Sequence, residues 1–254
     1  MYVLLTNDDG IHSPGLLAVK QAVERIAEVV VIAPDHNWSA AGHAKTLHKP
    51  LRIDETTLPD GGRAYVTTGA PSDCVAIAAL GFLDHLPDLV ISGINYGYNL
   101  GDDLTYSGTV TAAMEGVIAG IRSIAVSTER VDDMDFEPAA ETVARIASQL
   151  ISSDLPPRTL LNINVPPLPA AEIKGLRLTR LGRRIYHDIL IPRQDPYGRN
   201  YYWIGGQPPE GIMDEGTDIW AVANGYVSVT PIHLDMTDYD MLNRLKHWEN
   251  TLQE

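Results

Sequence analysis

Val3-Leu4-Leu5-Thr6-Asn7-Asp8-Asp9-Gly10 is a short apolar run that ends in two adjacent carboxylates and a glycine. The run predicts a buried strand over Val3 to Leu5. Pro14 to Ala27 follows, with Leu16, Leu17, Val19, Val23 and Ile26 at helical spacing, and Val29 to Ile32 is a second apolar run ended by Pro34. A strand, a helix and a strand in that order predict two parallel strands joined by a helical crossover.

The same alternation continues along the chain. Strands are expected at Tyr65 to Thr68, Leu89 to Ser92, Ile124 to Ser127 and Leu160 to Val165. Helices are expected at Pro71 to Phe82, Thr109 to Ala119 and Pro138 to Ile151. The near-continuous apolar strands call for burial on both faces, so the fold class is α/β, a mostly parallel sheet with helices on both sides. Ligands of such sheets bind just beyond the carboxyl ends of the strands.

The pattern changes at Pro166-Pro167-Leu168-Pro169, which divides a core, residues 1–166, from a C-terminal part, residues 167–254. Arg177 to Trp203 reads as a projecting arm or hairpin, with short extended segments at Leu176 to Thr179 and Tyr201 to Ile204. The aromatic and apolar Tyr201-Tyr202-Trp203-Ile204 on such a projection favours a subunit contact. Ile219 to Pro231 reads as a return strand and Tyr239 to Leu252 as a terminal helix.

Composition narrows the function. The 254 residues carry a formal net charge of −14 from 33 acidic and 19 basic residues, which argues against a nucleic-acid polymer as partner. A small anion remains compatible if a local positive centre, such as a bound cation, attracts it. One cysteine, Cys74, excludes an internal disulfide and fits a reducing compartment. Met1 to Asp9 lacks the basic segment of a signal peptide, and no apolar stretch approaches the ~20 residues of a membrane span. The expectation is a cytoplasmic protein without a membrane partner.

Four strand-end segments carry polar groups suited to chemistry. Asp8 and Asp9 repel each other, and a divalent cation removes that cost; the same residues also suit a solvated turn closed by Gly10. Ser39, in Pro34 to His43, offers a neutral oxygen or is simply part of a polar loop. Ser92-Gly93-Ile94-Asn95-Tyr96-Gly97-Tyr98-Asn99-Leu100-Gly101 spaces glycines at every fourth position, with Asn95 and Asn99 between them. Its glycines permit close backbone approach to a ligand, and its amides offer both donors and acceptors. Tyr106-Ser107-Gly108-Thr109-Val110 precedes a helix, where free N–H groups make an anion site or Ser107 an ordinary cap. Asp102 and Asp103 read as loop solvation. The fold carries all four segments to one edge of the sheet.

With these segments the sequence resembles the SurE family, the stationary-phase survival protein E phosphatases. The likeness extends through Tyr201-Tyr202-Trp203-Ile204-Gly205-Gly206 and Val227-Ser228-Val229-Thr230-Pro231, nearly the whole chain, with no departure at the functional positions. The resemblance implies a Rossmann-like core with a swapped, projecting C-terminal part and assembly as homodimers or homotetramers. It implies hydrolysis of 5′- and 3′-nucleoside monophosphates, with some activity on short polyphosphate. It carries metal ligation to Asp8, Asp9, Ser39 and Asn95, and phosphate contacts to Asn99, Ser107, Gly108 and Thr109. The expected catalytic pair is Asp8 and Asp9.

Four oxygen donors suit one Mg²⁺ or Mn²⁺ per subunit, with Ca²⁺ as another occupant, rather than Zn²⁺. A phosphatase with a nucleophilic aspartate of the haloacid-dehalogenase type wants Asp-x-Asp, which Asn7-Asp8-Asp9 does not supply. A metal-dependent amidohydrolase would add histidine ligands, and His36 and His43 are not persuasively spaced. A sensor that binds phosphate without turnover is the rival from another class.

Overall fold

In a computed structural model, residues 1–251 are described. The elements run β1 (Tyr2–Thr6), α1 (Pro14–Val23), β2 (Glu28–Pro34), β3 (Ile53–Thr57), β4 (Arg63–Thr67), α2 (Pro71–Ile77), β5 (Leu89–Tyr96), α3 (Gly108–Ile118), β6 (Arg122–Thr128), α4 (Glu137–Ser152) and β7 (Leu160–Val165). They continue with β8 (Leu176–Leu178), β9 (Arg184–Gln194), β10 (Asn200–Gly211), α5 (Asp218–Ala223), β11 (Val227–Ile232), α6 (Tyr239–Leu245) and α7 (Trp248–Thr251).

Nine strands form one sheet in the order β3-β4-β2-β1-β5-β6-β7-β11-β8. All neighbours are parallel except β3 on β4 and β11 on β7. The strand period explains the layers. Val3 and Leu5 of β1 face α1 and α4, joining Leu16, Val19, Val143 and Ala147 in one core. Leu4 faces the other way, with Cys74 and Val75 of α2 and Ala112 of α3. β1 and β5 are hydrogen-bonded neighbours with Thr6 opposite Ser92. The chain builds β2 and β4 on one side of β1 and then β5 to β7 on the other, so the sheet reverses its order of growth beside β1. The crevice beyond the β1 and β5 ends is where a ligand site is expected.

Several elements differ from the sequence expectation. Ile219 to Pro231 is not one strand. Thr217 caps α5 through its side chain, Gly225 turns the chain at φ +79°, and β11 then returns antiparallel to β7. The helix expected over Pro71 to Phe82 widens into a π-type turn at Ala78–Phe82, where Gly81 takes φ 107°. β3 is a polar edge strand, Ile-Asp-Glu-Thr-Thr, which carries no apolar signal because one edge of it meets solvent. Leu176–Leu178 lies in the main sheet beside β11, so the projection is the separate antiparallel hairpin of β9 and β10. The terminal helix is divided into α6 and α7, and Leu252 lies outside the described residues. Among the described residues, no helix is long and apolar enough to cross a membrane.

Asp102 and Asp103 do more than solvate a loop. The Asp103 carboxylate accepts from Arg184 Nε at 2.8 Å and from the Tyr186 hydroxyl at 2.7 Å, and Asp102 accepts from the Arg184 backbone N–H at 3.1 Å. The fully buried Asp218 accepts backbone N–H groups of Gly101 and Gly182 at 2.8 and 2.7 Å. These carboxylates fasten the base of the hairpin to the core.

Candidate active site

The turn after β1 projects both carboxylates from a fixed base. Asn7, fully buried, closes the turn onto Gly10 with two side-chain hydrogen bonds, accepting at 3.2 Å and donating at 2.9 Å. Gly10 takes φ 97°, a conformation that disfavours any other residue, and lies against the backbone of His36. The Ile11 N–H donates to the Pro34 carbonyl at 2.9 Å, tying the turn to the end of β2.

Asp8 is 3 % exposed and meets the first turn of α3. Ser107 caps that helix, its hydroxyl oxygen accepting from the Val110 N–H at 3.0 Å. The Thr109 hydroxyl donates to Asp8 Oδ1. A Cβ placed on Gly108 would stand 2.7 Å from Asp8 Cβ and 2.9 Å from Asp8 Oδ2, so only glycine lets the helix start approach the carboxylate. Burial pushes the Asp8 carboxyl up to about 6, the Thr109 hydrogen bond opposes that rise, and the charge of Asp9 adds to it.

Asp9 is half-buried and held at both oxygens. Oδ1 accepts from Asn37 Nδ2 and Oδ2 from the Tyr96 backbone N–H, each at 3.1 Å. Burial raises its carboxyl; the Tyr96 N–H, the Arg130 guanidinium and Asn37 pull it back.

The Ser39 loop lies across the same edge. The Trp38 N–H donates to the Asp8 carbonyl at 2.7 Å, and the Ser39 N–H to Asn37 Oδ1 at 2.7 Å. Farther on, the Gly42 N–H donates to Tyr106 O at 3.0 Å, while the Glu115 carboxylate on α3 meets Lys45 Nζ at 2.8 Å and His43 Nε2 at 3.2 Å. Ser39 is therefore exposed on a loop fixed at Asp8 on one side and at α3 on the other.

Asn95, at the end of β5, donates its side-chain N–H to Gly97 O at 2.6 Å and precedes the residue whose N–H meets Asp9. Asn99 sits deeper. Its amide nitrogen donates to Ser127 Oγ at 2.7 Å, its backbone N–H donates to Asn164 Oδ1, and its carbonyl accepts from Asn162 and Asn164, each at 3.0 Å. The structure thus joins Asp8, Gly108 and Thr109 in direct contact, with Asp9, the Ser39 loop and Asn95 around them. It turns the Asn99 amide inward, onto the sheet.

Asn37, Tyr96 and Arg130 were not among the expected site residues. Arg130 follows β6, so the rule that ligands bind beyond strand ends was the available signal. Asn37 and Tyr96 lay inside segments already singled out.

Asp8 and Asp9, with Ser39 and Asn95 on the adjoining loop and strand, offer carboxylate, hydroxyl and amide oxygens, all hard donors. Among the described residues no group of three or more His, Cys, Asp and Glu is assembled for a metal. The oxygen set nevertheless fits a hard divalent cation that keeps waters or substrate oxygens in its remaining positions. Asp8 supplies the physical reason: a buried carboxylate with a like charge next to it and no cationic side chain acting on it is short of positive charge.

The family model described as Survival protein SurE matches residues 3–188. A 5′-nucleotidase SurE of Herpetosiphon aurantiacus is 54% identical over 256 residues, covering 98% of this chain and 100% of the relative. One of Chloroflexus aggregans is 51% identical over 251 residues, covering 98% and 99%. The crystal structure of the SurE protein from Aquifex aeolicus superimposes with a TM-score of 0.85 at 44% identity, covering 98% of this chain and 100% of that one.

Proposed function

The chain belongs to the survival protein SurE family, and from that premise we propose that it is a phosphatase releasing inorganic phosphate from nucleoside 5′-monophosphates. Nucleoside 3′-monophosphates and short polyphosphate are further substrates of the same chemistry. The observation that carries the reading is Asp8, buried against the glycine-cleared start of α3 with the Thr109 hydroxyl on its carboxylate.

Asp8, Asp9, Ser39 and Asn95 would hold one Mg²⁺ or Mn²⁺ per subunit, and Ca²⁺ fits the same oxygens. For Asn95 the amide oxygen is the donor, since its nitrogen serves Gly97. When bound, such a cation supplies positive charge beside the phosphoryl group and makes a nearby water more acidic. Asp8 orients the attacking water and takes its proton. The water oxygen bonds to phosphorus as the P–O bond to the nucleoside breaks, and the leaving oxygen takes up a proton from Asp8 or from solvent water. Asp9, gripped at both oxygens, has the more static role. The N–H groups of Gly108 and Thr109 and the Ser107 hydroxyl receive the phosphate oxygens at the positive end of α3. The Thr109 hydroxyl already serves Asp8, so its backbone N–H is the donor left for phosphate. Asn99 gives one amide N–H to Ser127, so the second N–H is its donor for phosphate.

We further assign residues 1–166 to catalysis and residues 167–254 to association as a homodimer or homotetramer. Exposed Tyr202, Trp203 and Ile204 on the hairpin support that assignment. A cytoplasmic setting agrees with the one cysteine, Cys74, buried and with its thiol pushed up to about 12.

The deciding test is phosphate release from the four common nucleoside 5′-monophosphates, with EDTA and then with Mg²⁺ or Mn²⁺ restored. Release that stops with EDTA and returns with metal is expected. Folded protein that releases none with any metal would instead be a phosphate-binding module without turnover.

A further inference from the structure

A cavity of about 510 Å³ opens directly beside Asp9. Its walls include Asp9, Asn37, Tyr96, Arg130, Met134 and Phe136. One side of it is therefore the candidate catalytic carboxylate and the other is aromatic and apolar.

Tyr96 is fixed at three points. Its backbone N–H donates to Asp9 Oδ2, its hydroxyl donates to the Val131 carbonyl, and its ring meets the Phe136 ring edge-on with centroids 6.0 Å apart. The Arg130 guanidinium lies over that ring, 5.1 Å from its centroid. Arg130 is itself exposed, so its contact with Tyr96 leaves the side chain accessible to a ligand. Planar guanidinium groups stack on aromatic faces, including nucleobases, in a way that a lysine ammonium does not. Cavities of this size and mixed lining take small organic ligands.

We propose that this cavity receives the base of the nucleotide, stacked on the Arg130 guanidinium with Phe136 and Met134 beside it, and that Arg130 thereby sets the preference for nucleotides over phosphate esters without a base. The inference rests on the phosphatase reading of the neighbouring site, but it concerns the leaving group rather than the bond cleaved. Asp9 links the two, because it lines the cavity and stands next to Asp8.

The test compares kcat/KM for adenosine 5′-monophosphate with that for ribose 5-phosphate in the wild type, Arg130→Ala and Arg130→Lys, together with equilibrium binding of adenosine. The ratio of the two kcat/KM values is expected to fall about tenfold in both variants, because stacking needs the planar group and not only its charge. Adenosine binding is expected to weaken by a similar factor. An unchanged ratio in Arg130→Ala overturns the proposal, as does full recovery of the ratio in Arg130→Lys, which would assign Arg130 a charge effect on Asp9 or on phosphate. Wild-type protein that hydrolyses neither ester refutes the phosphatase reading alone. Adenosine binding then decides the cavity by itself: loss in both variants upholds it, and no binding to the wild type overturns it.

Discussion

The Thr109 hydroxyl donates a hydrogen bond to the Asp8 carboxylate across 101 residues of sequence. It is the contact through which the start of α3 acts on the carboxylate after β1, and it opposes the rise in the Asp8 pKa caused by burial. Thr109→Val keeps the shape of this fully buried residue and removes the donor. The Asp8 carboxyl then rises further, so the acid limb of the kcat/KM profile should move to higher pH, with activity down roughly 10- to 100-fold at neutral pH. A pH–rate profile of the variant with unmoved limbs would remove Thr109 from the mechanism.

Asp8→Asn should abolish turnover while the protein stays folded, as read by phosphate release alongside circular dichroism. An oxygen remains for Thr109 to donate to, but the base and the anionic ligand are gone. Near-normal activity in this variant would defeat the assignment of Asp8.

The same substitution has a signed effect on stability in EDTA. The folded-state Asp8 carboxyl is raised from 3.8 to about 6. Its ionisation costs the folded state nothing below about pH 4, and the full penalty applies above about pH 6. Asp8→Asn should therefore match the wild type near pH 4 and exceed it above pH 6 by on the order of 3 kcal/mol. Thermal melts across that window read the difference directly. A gap that is constant with pH would mean that Asp8 is not desolvated.

Gly108→Ala would ordinarily favour a helix by up to about 1 kcal/mol. Here the new methyl would meet Asp8 Cβ at 2.7 Å and Asp8 Oδ2 at 2.9 Å. We expect a lower melting temperature and a loss of activity of roughly 100-fold or more, because displacements of about 1 Å at a reacting group cost on that order. An active and more stable variant would show that the helix start does not need to approach Asp8.

Trp203→Glu combined with Ile204→Glu places charge on two residues that are 64 % and 80 % exposed in the single chain. Light scattering should then give a smaller assembly than the wild type, with the core still folded. An unchanged mass would remove this hairpin face from the subunit contact.

Much of the fold was legible in local pattern. Val3, Leu4 and Leu5 are all apolar because β1 is covered on both faces, and such a run announces a central parallel strand. The position of Asp8 and Asp9 just beyond the end of β1 follows from the same reading, whereas Asn95 lies within β5, which runs on to Tyr96, past the strand expected to end at Ser92. Where flanking polar residues decide the outcome, as with Thr217 capping α5 and Gly225 turning the chain, the apolar pattern of Ile219 to Pro231 was ambiguous between helix and strand. Edge strand β3 gave no signal because its side chains do not need to be apolar.

By itself, then, the sequence determined an α/β core and the set of strand-end segments that carry its polar groups, since hydrophobic period and turn chemistry act over a few residues. Only the tertiary structure decided which of those groups meet. It brought Thr109 and Gly108 onto Asp8, turned the Asn99 amide to Ser127, and laid Arg130 over Tyr96 beside Asp9. Those pairings depend on strand order and helix packing between segments far apart in the chain, which no local spacing encodes.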